Sequence, residues 1–550
     1  MIDIDKHINK LKREPGTQTG HIRVMSKIVK DLSSGIYSSP ANCIKELINN
    51  SFDADASKVI IRAKPSLDLF SVTDNGSGMS IEDFAKKFSV ISKSYKRDES
   101  EDSPKFKRPL VGKIGIGFIA VSEICDKMII ITKSKGDIGR IKAEIDFKKF
   151  KDCDENPNDE FYKKSEFKLE YQENKDEKDE GYTKVILSEL TSEFKQLLTD
   201  KDNILNTNDP DPKKRLIKKE LEDKKFIDIV NYLKNKRIKT YQHLGQYWRL
   251  IFDISRTIPV KYFKKGPIIL EKKNKFLDKI KEEIESFNFH VDFDGIILKK
   301  PILFPNEDYY CDYKVDHIVH TFSHSKKFEN SYLKFSGYIY SQHGGINPKE
   351  DAGIIIRIKN VKIGETDSTY LDYPFVSNQL FRHWNFGEIY IEEGLEDAMN
   401  IDRNSFRLSH AHYLELKKYI HNYLTDTVFP YCLKGFYEAK RERTQNENRR
   451  RQTKKIQKSI NQSFSQISKP VKIEISNEKN GKAIEIIPKE SKVIIRTKSS
   501  PFRNFNKKEK ELIQEILIYF EAAYEKARKS DKGIEGLKKN FYNSLEKREK

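Results

Sequence analysis

Cysteine is scarce in this chain, and the five present (Cys43, Cys125, Cys153, Cys311 and Cys432) include no CxxC pair. That spacing argues against a zinc ribbon or a disulfide framework and suits a reducing cytoplasm. Long apolar runs are also missing. The longest aliphatic stretches, such as Met128 to Ile131, have strand length and cannot cross a bilayer, and the first residues form no apolar leader. No GxxxxGK[ST] occurs, which removes a P-loop, and no internal repeat is evident.

Charge is what the chain has in excess. Charged residues make up 34% of the sequence and hydrophobic ones 37%, with a formal net charge of +19. A surface of that kind favours anionic partners, nucleic acid first among them, although lysine enrichment along the whole chain supplies part of the excess. With 550 residues the chain exceeds one core, and domain sizes suggest roughly three domains.

Helix and strand patterns alternate from residue 22 onward, which implies an α+β fold. Strands are expected at Lys58 to Arg62, 69 to 73, Lys127 to Lys133 and Thr183 to Leu187. A polar segment at about 89–111 has the composition of a mobile lid, and a charged stretch at about 151–180 reads as an exposed loop or arm. The expected organisation is a strap at 1–20, a first domain at 21–230, an α/β middle domain at 238–430 and a basic, mostly helical region at 431–550. Within that last region, strand-like Ala483 to Ile487 and Lys492 to Arg496 precede an amphipathic helix at about Lys507 to Lys529.

Three local patterns carry chemistry. In Glu46-Leu-Ile-Asn-Asn50-Ser-Phe-Asp53, a rotation of about 100° per residue gathers Glu46, Asn50 and Asp53 on one face, with Ile44, Leu47, Ile48 and Phe52 opposite. A carboxylate there can act as general base, and an amide oxygen one turn away can hold magnesium against phosphates. Asp74 closes a strand and opens Asp74-Asn-Gly76-Ser-Gly78-Met79, where its carboxylate can accept from an exocyclic amine such as that of adenine. Gly112, Gly115 and Gly117 precede an apolar segment expected to be helical, an arrangement whose amides can cradle phosphates.

In this order and spacing the three patterns resemble the GHKL (Bergerat-fold) ATPases: MutL-type repair proteins, type II topoisomerases, MORC proteins and the ninety-kilodalton heat-shock chaperones. The resemblance covers about residues 20 to 190. It implies ATP and Mg2+ as cofactors, Glu46 as catalytic base and Asn50 as the metal ligand. Asp74 would contact adenine, with Gly76, Gly78 and Met79 shaping the base pocket, and Asp53, Gly112, Gly115 and Gly117 would complete the nucleotide contacts. Gly181-Tyr182-Thr183 resembles the fourth family motif, with Thr183 supporting Asp74, although Tyr182 departs from the usual Gly-Thr pair. Met399-Asn-Ile-Asp-Arg403-Asn-Ser-Phe resembles the chaperone segment whose arginine reaches the terminal phosphate, which makes Arg403 the second catalytic candidate. Lys349, in a loop, is the alternative, as gyrase and MutL relatives use a loop lysine. Histidine kinases share the nucleotide fold, but no phosphoacceptor helix precedes it here.

The reading is thus an ATP-hydrolysing conformational switch: a GHKL domain whose two copies pair when ATP closes the lid, an α/β transducer, and a basic C-terminal region that dimerises or engages a partner. DNA handling of the MutL or MORC kind is the expected role. The alternatives are a chaperone-like machine acting on protein clients and a sensor gating a partner effector. Between Lys440 and Lys458, nine Lys and Arg stand against two Glu without interleaved aromatics, a pattern that suits a solvated, partly helical linker and could also neutralise the phosphates of a nucleic acid. A membrane is not an expected partner, and a cytoplasmic location is.

Overall fold

The computed structural model describes residues 39–84, 102–112, 119–148, 167–173, 180–205, 225–235, 238–268, 270, 273–301, 316–374, 381–400, 404–463, 472–476, 480, 484–487 and 492–496. The expected strap, lid residues 89–101, Gly115, Gly117, Arg403 and the helix at about Lys507 to Lys529 lie outside them. Two compact units divide the chain, Met1–Leu433 and Lys434–Lys550.

Helix α1, Pro40–Asp53, starts where Ser39 accepts the Asn42 amide through its hydroxyl and Pro40 supplies a fixed φ at the first turn. Its apolar side, Cys43, Ile44, Leu47, Ile48 and Phe52, is buried on a mixed sheet. That sheet is built from β1 (Lys58–Lys64), β2 (Leu69–Asp74), β3 (Cys125–Lys133), β4 (Gly139–Asp146), β5 (Phe167–Glu173) and β6 (Tyr182–Leu190). Helices α2 (Ser192–Thr199), α3 (Phe226–Asn235), α4 (Gln246–Thr257) and α5 (Lys275–Ser286) follow, then strands β7 (His290–Phe293) and β8 (Ile296–Ile297). The strand order is β5-β4-β3-β6-β2-β1-β7-β8. Along β2 the burial alternates so that Phe70, Val72 and Asp74 share the buried face. That period of two delivers the Asp74 carboxylate beneath α1.

Three sequence expectations change here. The segment 238–430 was expected to form a separate domain, yet β7 pairs in parallel with β1, Lys58↔His290 to Ile61↔Phe293, and so completes the first sheet. The reason is local: Val291 and Phe293 alternate inward, and Phe287 and Phe289 pack edge-on against Phe52 at 5.5 and 5.1 Å. Within the expected loop at 151–180, Phe167–Glu173 is an edge strand antiparallel to β4, with the alternation of Phe167, Leu169 and Tyr171 hidden in a charged window. The apolar segment after Gly117 shows only the short 3-10 turn Ile119–Glu123 before β3.

The second sheet comprises β9 (His317–Lys327), β10 (Tyr332–Gln342), β11 (Gly353–Ile358), β12 (Val361–Asp367) and β13 (Asn385–Glu393) in the order β12-β11-β13-β10-β9. Strand β11 is buried throughout, which accounts for its nearly unbroken Gly-Ile-Ile-Ile-Arg-Ile sequence. Its Arg357 and Glu388 of β13, both fully buried, form an ion pair at 2.6 Å. The hydroxyls of Tyr262, Tyr338 and Tyr390 converge on the other Glu388 oxygen at 2.6, 2.5 and 3.0 Å. Such convergence satisfies a buried carboxylate that would otherwise be costly. Helix α6, Ala411–Tyr423, packs aromatic residues against β9, with Phe322 and Tyr419 at 5.9 Å.

Helix α7 runs from Phe429 to Ser463. The second unit also holds a small sheet of β14 (Lys472–Ser476), β15 (Ile484–Ile487) and β16 (Lys492–Arg496) in the order β14-β16-β15. No helix among the described residues is long and apolar enough to cross a membrane.

Candidate functional site

The site begins on α1. Glu46, Asn49 and Asp53 are 5%, 1% and 7% exposed, whereas Asn50 is open to solvent. The expected stripe is therefore split. Asn50 points outward where a ligand could reach it, and Glu46 lies recessed one turn earlier.

Asp74 sits on the neighbouring strand, 7% exposed. One oxygen accepts the Gly76 amide at 2.9 Å and the other accepts the Ser51 hydroxyl at 2.9 Å, with the Thr183 amide as a further donor. Burial pushes its pKa up to about 6, against the pull of these three bonds. Two carboxylate oxygens offer about four lone-pair sites, so one stays available for an exocyclic amine. On that count the site fits an adenine.

The turn after Asp74 is pinned from several directions. Asn75 accepts the Ser57 and Lys58 amides at 2.9 and 2.8 Å, and the Ser77 amide reaches Ala54 O at 2.8 Å. The Met79 amide donates to the Thr132 hydroxyl at 3.0 Å, which itself donates to Tyr182 O and lies 3.1 Å from the Thr183 hydroxyl. Gly78 has a φ of +65°, and a Cβ there would come within 1.8 Å of Lys133 O. A Cβ on Gly181 would press on Ser77 O and Gly76 O at 2.5 and 2.6 Å. The two motifs thus pack backbone to backbone, which only residues lacking a side chain allow.

Asp53 takes a different part from the one expected. Its oxygens accept the Val111 and Gly112 amides, each at 2.7 Å. In this arrangement it anchors the entrance to the glycine-rich segment, and the Gly112 amide is already engaged. The described end of the expected lid is likewise fastened down. Asp55 accepts the Ser103 hydroxyl and the Lys105 and Phe106 amides at 2.6, 2.8 and 3.1 Å. Arg108, fully buried, donates to Phe52 O, Ala56 O and Phe287 O. The described residues 102–112 are therefore part of the scaffold: the Ser103 and Arg108 side chains, which resemble those of a loop in sequence, make internal bonds, while Lys105 and Lys107 stay exposed.

A cavity opens behind Glu46. Its lining includes Lys45, Glu46, Asn49 and Val111 on one side and Lys359 and Glu396 on the other. Lys359 Nζ donates to Leu110 O at 2.8 Å and lies 3.1 Å from Glu396. Lys45 Nζ reaches Asn404 Oδ1 at 3.5 Å, which places the residue next to Arg403 against α1. Lys349 is exposed near Thr240 and Tyr241, its amide bonded to Lys239 O, and it does not line this cavity. No group of three His, Cys, Asp or Glu suited to a metal occurs among the described residues. A magnesium ion here would rest on the Asn50 oxygen, water and phosphate oxygens, which is the small protein share this ion commonly takes.

Ser51, Thr132 and Lys359 escape a reading of the sequence alone. The only advance signal was Thr132, inward on β3 in step with Met128 and Ile130 and therefore in need of a polar partner.

A helix with a recessed glutamate, a strand-end aspartate buried beneath it and a glycine turn laid on the next strands together define a GHKL-type nucleotide-binding domain. Residues 37–179 match the family model of histidine kinase-, DNA gyrase B- and HSP90-like ATPases, and this part of the chain is a GHKL ATPase domain. The chain is similar to a putative type II restriction enzyme, HgiDII, of Herpetosiphon aurantiacus, with 38% identity over 95 residues, 17% of this chain and 15% of the relative. It is also similar to the chaperone protein HtpG of Oceanobacillus iheyensis, with 28% identity over 127 residues, 20% of each chain. The chain thus spans a fifth or less of the length of these relatives.

Proposed function

We propose that this protein is an ATP-hydrolysing conformational switch. The observation that carries it is the joining of Asp74 to the Glu46 helix through Ser51, which puts the buried Asp74 carboxylate and the recessed Glu46 carboxylate on one support. Bound ATP with Mg2+ supplies an electrophilic terminal phosphate. Around it, Asp74 would accept the base amine, Gly76, Gly78 and Met79 would bound the base, and Asn50 would orient the metal. Glu46 would take the proton of the attacking water. Arg403 would stabilise charge at the terminal phosphate. The contact of Lys45 with Asn404 supports Arg403 over Lys349, because it ties that segment to the catalytic helix.

The test is a pair of variants. Glu46→Ala is expected to bind a non-hydrolysable ATP analogue and to lose turnover, and Asp74→Asn to lose binding. Wild-type turnover in Glu46→Ala would overturn the assignment.

For the role served by the switch, we favour a DNA-related or defence process. A homodimer would close on ATP and reopen on hydrolysis, in the cytoplasm, with the two sheets of the first unit as ATPase and transducer. Support comes from the net charge, from the similarity to a putative restriction enzyme and from α7. On that helix Lys434, Tyr437, Lys440, Arg441, Thr444, Asn448 and Arg451 are all exposed. At about 100° per residue they share roughly a third of the circumference, with Glu438 and Glu447 at its edges. DNA retention that is the same with and without ATP at low salt would count against this reading. The HtpG similarity favours a second reading, an ATP-driven machine acting on protein clients, which requires ATP-dependent suppression of client aggregation.

A further inference from the structure

We propose that Lys359 is a positioning residue through which the second sheet holds the entrance to the glycine-rich segment in register with the Glu46 helix. It rests on the ATPase reading above and adds to it a residue outside the GHKL domain.

Lys359 and Asn360 form the two-residue turn that joins β11 to β12, with φ angles of +53° and +64°. Turns with two positive φ values suit hairpins and favour Asn and Gly. Asn360 fits that preference. A lysine in the left-handed region costs roughly 1 kcal/mol, so its side chain should do something that glycine could not. Its Nζ donates to Leu110 O at 2.8 Å and pairs with Glu396 at 3.1 Å, with only 16% of the side chain exposed. A charge-assisted bond shielded in this way is stronger than the same bond in water.

The next two residues after Leu110 are Val111 and Gly112, whose amides are held by Asp53 of α1. Three consecutive residues are therefore gripped by α1 from one side and by the second sheet from the other. Glu46 and Lys359 line the cavity between the two grips. The turn has its own support, since the Asn360 side-chain amide donates to Glu283 of α5 at 3.1 Å. A ligand that displaces Leu110 would strain its bond to Lys359, and by reciprocity the position of the second sheet would bias the segment Leu110–Gly112.

The experiment uses the full chain with Lys359→Met, and Lys359→Arg as the conservative variant. Without nucleotide, hydrogen exchange at the Val111 and Gly112 amides is expected to rise by about tenfold in Lys359→Met, the scale of one lost charge-assisted bond. It should stay near wild type in Lys359→Arg, and exchange at the Gly76 amide should not change in either. With ATP, kcat is expected to fall by about tenfold in Lys359→Met while KM moves by less than about threefold, the split that marks lost transition-state positioning. Unchanged exchange at Val111 and Gly112 overturns the proposal whether or not ATP is hydrolysed. Absence of hydrolysis in the wild type would instead overturn the ATPase reading, leaving the exchange result to decide on Lys359. Loss of nucleotide binding in Lys359→Met overturns the positioning role in favour of a direct ligand. If Lys359→Met fails to fold, Lys359→Ala takes its place under the same criteria.

Discussion

The Ser51 hydroxyl donates to Asp74 Oδ2 at 2.9 Å, and this bond ties the strand that ends at Asp74 to the helix that carries Glu46 and Asn50. Ser51 Oγ also lies 3.2 Å from Leu47 O, one turn earlier, so the position of its hydroxyl is set by the helix itself. Ser51→Ala should leave the buried carboxylate with one donor fewer. A bond to a charged group contributes about 1.5–3 kcal/mol, so affinity for a non-hydrolysable ATP analogue is expected to fall by roughly tenfold or more. Calorimetric titration checks this, and an unchanged dissociation constant would show that Ser51 does not prepare Asp74.

A pH dependence follows from the same carboxylate. Burial raises the Asp74 pKa from 3.8 to about 6. Since the folded state then binds the proton more tightly than the unfolded chain, Asp74 favours the fold most below its ordinary pKa, and this contribution is lost as pH rises through about 6. Adenine recognition runs the other way, because an amine donor needs the ionised acceptor. ATP-analogue affinity is therefore expected to weaken by about tenfold per unit below pH 6 while thermal stability of the nucleotide-free protein does not fall with it. Affinity that is flat between roughly pH 5 and 7.5, the range that brackets the shifted pKa, would exclude Asp74 as the acceptor.

How much of this was legible in advance depends on the range of the interaction. The strand repeat alone turns Asp74 inward, and the helix repeat puts Glu46 and Asn50 on neighbouring turns of one side of α1, but it does not say that Glu46 is buried while Asn50 is exposed. The Asp74 helper Thr183 could be named from a motif, and it pairs opposite Asp74 across β2 and β6. Ser51 and Thr132 could not, because their significance depends on which strand lies alongside. The residues of strand β7 were expected in a separate middle domain for a similar reason: four residues carry no signal that their partner lies more than two hundred positions earlier. Asp53 was placed on the right face of α1, but the amides it anchors belong to a segment whose path the sequence does not specify.

The buried network around Glu388 gives a stability prediction of opposite sign for two neighbours. Lys300 is fully buried, its Nζ has no hydrogen-bond partner among the described residues, and it lies 4.8 Å from the centre of the Tyr262 ring. Burial, ahead of the nearby Arg357 charge, holds its pKa well below the ordinary lysine value. The unfolded chain thus binds the proton more readily, so Lys300 destabilises the fold at neutral pH and does so less as pH rises towards 10.5. Lys300→Met should raise the melting temperature and flatten its pH dependence on the alkaline side. Glu388→Gln, which leaves Arg357 buried without its counter-charge, should cost about 3–5 kcal/mol. Chemical denaturation of both variants measures the contrast, and a destabilised Lys300→Met would mean that the lysine supports the network.

Helix α7 gives the prediction that separates a nucleic-acid surface from a solvated charged helix. Lys440, Arg441 and Arg451 lie on the exposed face with Tyr437, whereas Arg450 and Lys454, also exposed, fall outside it. A cation that neutralises a phosphate releases a counterion, so each such contact contributes about 0.9 to the slope of log affinity against log salt. Replacing Lys440, Arg441 and Arg451 by glutamine should weaken binding of a labelled DNA duplex and reduce that slope by roughly 2–3. The pair Arg450→Gln and Lys454→Gln removes nearly as much charge from the other side of the helix and should change the slope little. Equal losses in the two sets would show that net charge alone attracts DNA, and that the Tyr437 face has no special part in it.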